Sequence, residues 1–360
     1  MTESLKVAII GGGRVAAHHC KMIADVEKVE LLAICDLKKQ VGEPLAKIYQ
    51  VPFFDNYNEM LKKLDDVDLV TIATPSGMHF EHTADIIKNH KKDIVVEKPT
   101  FMTQRQMRDA YNLARENNCR IFPVYQNRYN KAVRRVRKAV ENGELGDIRM
   151  ASARVRWCRP QRYYDRDPWR GTYSHDGGAL TNQGVHYIDI LRHLGGKINR
   201  VNAVKATQSV NVEVEDTVAA IFEFELGGSG VIEITTAAWP DDFEASISIV
   251  GSKGLAVISG EATNKLITFS PDPTECEQNS EEFEIVYGLG HREMYKDIFT
   301  VVKNNAEPPV SFEDGMQTLN LLHGIYRSAE DGEWVVLSGG LESQFLGEPN
   351  EQISNLYRTS

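Results

Sequence analysis

"LKVAIIGGGRVAAHH", residues 5–19, runs from an apolar segment through three glycines into a helix-like stretch, and its reading decides the fold. Residues 5–10 are short and rich in Val and Ile, as a parallel strand buried on both faces must be. Gly11, Gly12, Gly13, Arg14, Val15 and Ala16 then give G-x-G-x-x-A at a strand-to-helix turn. Gly11 allows the tight turn, Gly13 lets a pyrophosphate approach the backbone, and Ala16 lets the helix sit close to the sheet with its N-terminal amides facing phosphates. A glycine-rich turn in an unliganded domain is the competing reading, and the second apolar run, 30–35, argues against it by ending at Asp36. A carboxylate there accepts from a ribose 2'-hydroxyl and repels a 2'-phosphate, so the pattern predicts NAD, with Lys38 and Lys39 leaving room for NADP.

Working outward, further Val- and Ile-rich runs at 68–73, 93–96 and 120–125 are separated by helix-length stretches. One of these carries Thr103 and Gln106 in capping-box spacing. Residues 1–126 therefore read as a doubly wound parallel α/β domain that binds the dinucleotide. From 127 to 337 the pattern changes to an α+β domain with an open, mainly antiparallel sheet. A basic amphipathic helix from about Lys131 ends at Gly143, and alternating strands follow. The section 216–258 reads as an antiparallel meander with one wet face, and helices at 186–194, 291–303 and 313–329 are expected to cover its other face. The polar tail, 338–360, is expected to be a loose arm.

A formal net charge of -10 excludes a nucleic-acid binder of the usual basic kind. No run approaches a membrane span, and the N-terminus lacks a signal peptide's apolar core, which assigns the chain to the cytoplasm with no membrane partner. Five scattered cysteines fit reduced thiols. His18 with His19, and His79 with His82, lack the acid and cysteine neighbours of a ligand cluster, so no metal is expected.

Ligands bind at strand ends on one edge of such a sheet. The fourth run ends in Thr74 and Pro75, with His79 opening the next helix, either in solvent or against a cofactor. The fifth ends in Glu97, Lys98 and Pro99. Lys98 is either a solvated cap or a working group beside the nicotinamide. A second cluster, "GTYSHDGGALTNQGVHYIDILRHLGG" at 171–196, spaces Asn182 and His186 by four, on one face of a helix. A core histidine tied to a carbonyl is the alternative for His186. Before it, Arg154, Arg156, Arg159, Arg162, Arg166 and Arg170 interleave with Trp157, Tyr163, Tyr164 and Trp169, which describes either an anion and ring pocket or a charge-paired loop.

Together "GGGRVAAHH", "TPSGMH" at 74–79, "EKP" at 97–99 and "GGALTNQGVHYIDIL" at 177–191 resemble the Gfo/Idh/MocA oxidoreductases, over about residues 5–335. The resemblance implies catalytic roles for Lys98 and His186. It places Asn182 where many members have an aspartate; an amide cannot take a proton, so orienting substrate is its expected role. Trp169 and Arg170 match a pair that lies along the cofactor in related members. The implied cofactor contacts are Gly11, Gly13, Arg14, Val15, Asp36, Thr74, Pro75, His79, Glu97, Lys98, Gln126, Trp169 and Arg170; the implied substrate contacts are Asn182, Arg159, Tyr164 and Arg156. Within the family, 154–191 looks most like the branch that oxidises C3 of UDP-N-acetylglucosamine or its uronic acid for surface amino sugars. A myo-inositol or free-sugar dehydrogenase is the alternative. A non-catalytic NAD-binding regulator is another, although it would not need Lys98 and His186 together. The family habit and the long alternating strands at 217–226 and 230–239 imply a homotetramer built on the second sheet.

Overall fold

Six strands form the first sheet of the computed structural model, which describes residues 4–283 and 287–358; residues 1–3, 284–286 and 359–360 lie outside that description. They are β1 (Leu5–Ile10), β2 (Val29–Cys35), β3 (Phe53–Phe54), β4 (Leu69–Ile72), β5 (Asp93–Val96) and β6 (Ile121–Pro123), all parallel in the order β3-β2-β1-β4-β5-β6. The order reverses between β1 and β4, which opens a crevice at their carboxyl ends, where Gly11 and Thr74 follow. β3, a two-residue edge strand, is too short for any periodicity to announce it. Thr103 and Gln106 close the expected capping box.

The second sheet holds β7 (Ile148–Arg156), β8 (Ile198–Ala206), β9 (Thr217–Phe224), β10 (Ser229–Thr235), β11 (Glu244–Gly251), β12 (Leu255–Ser259), β13 (Lys265–Phe269) and β14 (Val335–Val336), in the order β13-β12-β11-β7-β10-β9-β8-β14. It is not the continuous meander that 216–258 suggests. β7 lies between β10 and β11, parallel to the first and antiparallel to the second. The connection 236–243 is too long for a hairpin, so β11 need not turn back beside β10. Alternate residues such as Val218, Ala220, Phe222, Ile232, Ile234, Ile247 and Ile249 are buried, while Ile221 and Val204 on the other face are exposed.

The chain forms two compact units whose bounds differ from those expected. The first joins Met1–Val124 to His291–Gly315 and Pro349–Ser360; the second joins Tyr125–Gly290 to Met316–Glu348. The helix Gly290–Asn304, expected on the second sheet, instead places Tyr295 against Thr71 of β4, where the hydroxyls lie 2.8 Å apart. The tail is not a loose arm through its described residues. Arg358 bonds Glu81 through Nε and Nη2 at 2.7 and 2.8 Å inside the first unit, and Leu346 is buried in the second.

Candidate active site

In the first unit, the glycine turn is built as the sequence requires. Gly11 has φ +101°, and a Cβ there would lie 2.4 Å from the Ala73 carbonyl oxygen, so no side chain fits. Above Gly13, by contrast, nothing lies within 4 Å of a Cβ position, and Gly13 and Arg14 are exposed with Val15 half-buried beside them. That open backbone at the head of helix Arg14–Ala24 fits a dinucleotide pyrophosphate. Asp36 sits at the end of β2, half-buried, where its carboxylate accepts from the Gly12 amide at 2.6 Å and the Lys38 amide at 2.7 Å. These bonds fix the carboxylate at the edge of the glycine turn.

Thr74 and Pro75 are half-buried after β4. His79 is neither in solvent nor on an open surface. It is 1% exposed, with Nδ1 2.9 Å from the Pro99 carbonyl oxygen and Nε2 3.0 Å from that of Thr74. Burial depresses its pKa, and the neutral ring, with a single N–H, donates to one of these two carbonyls while packing between the loop after β4 and the loop after β5. The helix-opening position suggested solvent because the sequence does not show that the Lys98–Pro99 loop folds over it. Lys98 is half-buried at the end of β5, before a cis Lys98–Pro99 peptide. Glu97, expected on the cofactor, turns inward instead: His19 and His291 reach Oε1, and the Lys98 amide donates to Oε2. Among the described residues, His19, Glu97 and His291 are the one group with metal-ligand spacing, so His19 does have an acid neighbour.

In the second unit, a π-helical turn, Leu180–Gly184, runs straight into helix Val185–Gly195. From 174 to 192 every residue is buried except Asn182 and His186, which are half-exposed. The expected pair thus forms the accessible face of an otherwise interior segment, and π turns recur at functional sites. Asp176, 1% exposed, accepts from Asn182 Nδ2 and, at 2.7 Å, from the Gly171 amide. That bond fixes which end of the Asn182 amide is the donor. Behind the turn, Glu215 accepts at Oε1 from Leu180 N (3.1 Å) and Tyr326 Oη (2.8 Å), while its Oε2 has no partner. Burial pushes its pKa up to about 7. A Cβ on Gly178 would lie 2.1 Å from that carboxyl, which accounts for glycine there.

The arginine and aromatic run separates into two groups. Arg170 donates to Tyr163 Oη at 2.8 Å and stacks on Tyr163 and Trp169 at 4.6 and 4.5 Å; Arg159 stacks on Trp157 at 5.0 Å and bonds Asp242 at 2.7 Å. Buried polar atoms without hydrogen-bond partners stand at Arg170 Nε, which lies 3.8 Å from Asp167 Oδ2, and at Gln126 Oε1, both residues expected to touch the cofactor. Such atoms fit a polar ligand. Arg154 and Arg156 lie elsewhere, on the open face of the sheet, paired with Glu233 and Glu244. Alternation along β7 sends them there, and the sequence reading missed it by treating the six arginines as one cluster. Tyr164 is likewise a core residue, 6% exposed with its hydroxyl on Thr236 and its pKa pushed by burial to about 12; its neighbour Tyr163 holds the site position. Asp176 and Glu215 escaped assignment, although "SHDGG" holds an acid beside the glycines.

A dinucleotide-binding parallel sheet followed by a mixed sheet, with a lysine ending β5 and a histidine on an inner helix, defines an NAD-dependent oxidoreductase. Residues 5–125 match the oxidoreductase family with an NAD-binding Rossmann fold, residues 133–257 match the GFO/IDH/MocA C-terminal domain, and the chain belongs to that family. It is similar to the WlbA dehydrogenase of Bordetella pertussis, solved with NADH and UDP-GlcNAcA: 32% identity, 93% of this chain and 98% of that one, TM-score 0.88. The Chromobacterium violaceum WlbA, solved with the same ligands, gives 30% identity, 93% and 97% coverage, and a TM-score of 0.85. D-glucoside 3-dehydrogenase of Escherichia coli is 26% identical over 94% of this chain and 99% of its own. The expectation of a sugar-type dehydrogenase using NAD therefore stands, and the regulator reading falls. No helix among the described residues is long and apolar enough to cross a membrane.

Proposed function

We propose that this chain oxidises C3 of a UDP-N-acetylhexosamine, or of its uronic acid, in the cytoplasm on the way to surface amino sugars. The observation that carries the reading is the near full-length similarity to two enzymes solved with NADH and UDP-GlcNAcA. When bound, NAD accepts hydride from the carbinol carbon. The Gly11–Gly13 turn holds the pyrophosphate, and Asp36 accepts from the adenosine ribose and disfavours a 2'-phosphate. Lys98 offers an ammonium to the oxygen that becomes a carbonyl, where charge develops. His186 takes the hydroxyl proton, and Asn182, held by Asp176, orients the sugar. Arg159, with Trp157 and Tyr163, suits the diphosphate and base of the UDP sugar, because guanidinium forks match phosphate oxygens and rings stack on a base, while Arg170 and Trp169 serve the cofactor. In this reading the first unit serves the cofactor and the second the substrate.

Exposed Ile221 and Val204 on the open sheet face, with exposed Trp239 and Phe243 in the connection between β10 and β11, support self-association as a homotetramer, which light scattering checks. A free-sugar dehydrogenase is the second reading, favoured by the similarity to the glucoside enzyme. Absorbance at 340 nm with NAD and a panel of UDP-N-acetylglucosamine, its uronic acid, glucose and myo-inositol separates the two. NADH formed with a UDP sugar and not with the others supports the proposal. Reduction by glucose or myo-inositol alone refutes it.

A further inference from the structure

Glu97 is a carboxylate inside the first unit, 5% exposed, beside the residue proposed to stabilise oxygen charge. Its partners form one continuous series. Thr71 Oγ1 lies 2.8 Å from Tyr295 Oη, Tyr295 Oη lies 2.9 Å from His19 Nδ1, and His19 Nε2 lies 2.9 Å from Glu97 Oε1. His291 Nε2 reaches the same Oε1 at 3.2 Å, and the Lys98 amide donates to Oε2 at 3.0 Å. His19, His291, Thr71 and Tyr295 are all fully buried.

With Glu97 ionised and both rings neutral, one assignment of protons satisfies every bond. An ionised carboxylate only accepts, so both histidines carry their proton on Nε2. His19 Nδ1 is then an acceptor, which makes Tyr295 the donor to it, and Tyr295 Oη in turn accepts from Thr71. A flipped tautomer at His19 would set two acceptors against each other at 2.9 Å. The same geometry has ligand-like spacing for a metal, but hydrogen bonds account for the three atoms that face one another, His19 Nε2, His291 Nε2 and Glu97 Oε1, without one.

We propose that Thr71, Tyr295, His19 and His291 are positioning residues that act through Glu97 to hold the Lys98 peptide, and with it the aim of the Lys98 side chain. This rests on the reading of Lys98 as catalytic. The series anchors the end of β5 to β4, to the helix after the glycine turn and to a helix 194 residues further along the chain. Glu97 is thereby an internal anchor where the sequence suggested a cofactor contact. Because a displacement of about 1 Å at a reacting group can cost on the order of a hundredfold in rate, a partial loosening should cost about tenfold.

The test uses the intact chain in two measurements. The first needs no substrate: imidazole nitrogen shifts of 15N-histidine-labelled protein report tautomers, and hydrogen exchange reports the Lys98 amide. His19 and His291 should both be neutral with the proton on Nε2, and Tyr295→Phe should speed exchange at Lys98. The second is turnover of UDP-N-acetylglucosaminuronate with NAD. Tyr295→Phe and His291→Leu should lower kcat, measured well below Tm, with the sugar KM and NAD affinity little changed, and His291→Gln, whose amide can still donate to Glu97, should restore most of it. The proposal is overturned by an imidazolium or an Nδ1–H tautomer at either histidine, by wild-type kcat in both loss variants, by a change in Tm alone, or by a stoichiometric zinc ion in the purified protein. Lys98→Met separates the two layers. Wild-type kcat in that variant refutes the catalytic reading of Lys98, while tautomers and amide exchange still judge the anchor.

Discussion

Glu97 and Glu215 are both buried carboxylates set against a proposed catalytic stretch, one beside Lys98 and the other behind the turn that carries Asn182. They are treated in opposite ways. Burial raises the pKa of each, but Glu97 has His19 and His291 both on one oxygen, and they hold it well below the usual range. Glu215 has Leu180 N and Tyr326 Oη on a single oxygen, and burial wins, to about 7. The difference teaches that the kind of donor, more than depth, decides whether an interior acid keeps its charge. Glu97 is a fixed anion; Glu215 holds a proton through mildly acidic pH.

The largest effects should fall on the two stretches these acids support. Lys98→Met should lower kcat by about a hundred- to a thousandfold, as loss of an oxyanion donor does. His186→Asn should cost on the order of a hundredfold, as for a lost general base, with NAD affinity nearly intact. Near-wild-type kcat in His186→Asn across pH would move the proton acceptor elsewhere.

Replacing the two acids themselves should break the symmetry between them. Glu97→Gln forces an amide N–H toward a donor, and a buried unsatisfied group costs roughly 1–3 kcal/mol, so both Tm and kcat should drop. Glu215→Gln mimics the protonated form and should leave stability unchanged at pH 5. Equal losses of Tm in the two variants would erase the contrast.

The pH dependence of stability follows with opposite signs. For Glu215 the folded pKa lies above the unfolded value of 4.5, so the folded state binds the extra proton and stability falls as pH rises from 4.5 through about 7. The full penalty is about 3 kcal/mol, reached at alkaline pH, and Glu215→Gln should abolish it. For Glu97 the folded pKa is depressed, so its stabilisation is present above 4.5 and is lost as pH falls below it. Urea midpoints across pH 4 to 9 check both slopes.

Much of this was legible in the sequence, and the boundary is physical. Strand ends, the glycine turn, Asp36, Lys98 and the Asn182–His186 face follow from local periodicity and spacing. The partners of Glu97 do not, because His291 and Tyr295 come from a helix whose amphipathic pattern suited either unit. Tyr163 and Tyr164 are adjacent in a short helical turn, Gln161–Tyr164, and no pattern in four residues says which faces inward. Arg156 was misread because an alternating strand sends it to the open face.

Smaller effects sharpen the second unit. Asn182→Asp sets a carboxylate against that of Asp176, and two such groups in contact cannot both ionise easily, so the pH–rate profile should gain an ionisation above the ordinary carboxylate range. An unchanged profile would mean that the pair separates. Arg159→Ala should chiefly raise KM for the UDP sugar with little change in kcat, and Arg156→Ala, from the open sheet face, should do less still. A larger KM effect at Arg156 would return that residue to the site.

The central claim is oxidation at C3 of a nucleotide sugar with NAD. UDP-N-acetylglucosaminuronate carrying deuterium at C3 tests it in one experiment, read by mass spectrometry of the cofactor and sugar after a single turnover. Deuterium in the reduced cofactor and a 3-oxo sugar are the expected result. Deuterium retained in the sugar while the cofactor is reduced would place the chemistry at another carbon and contradict it.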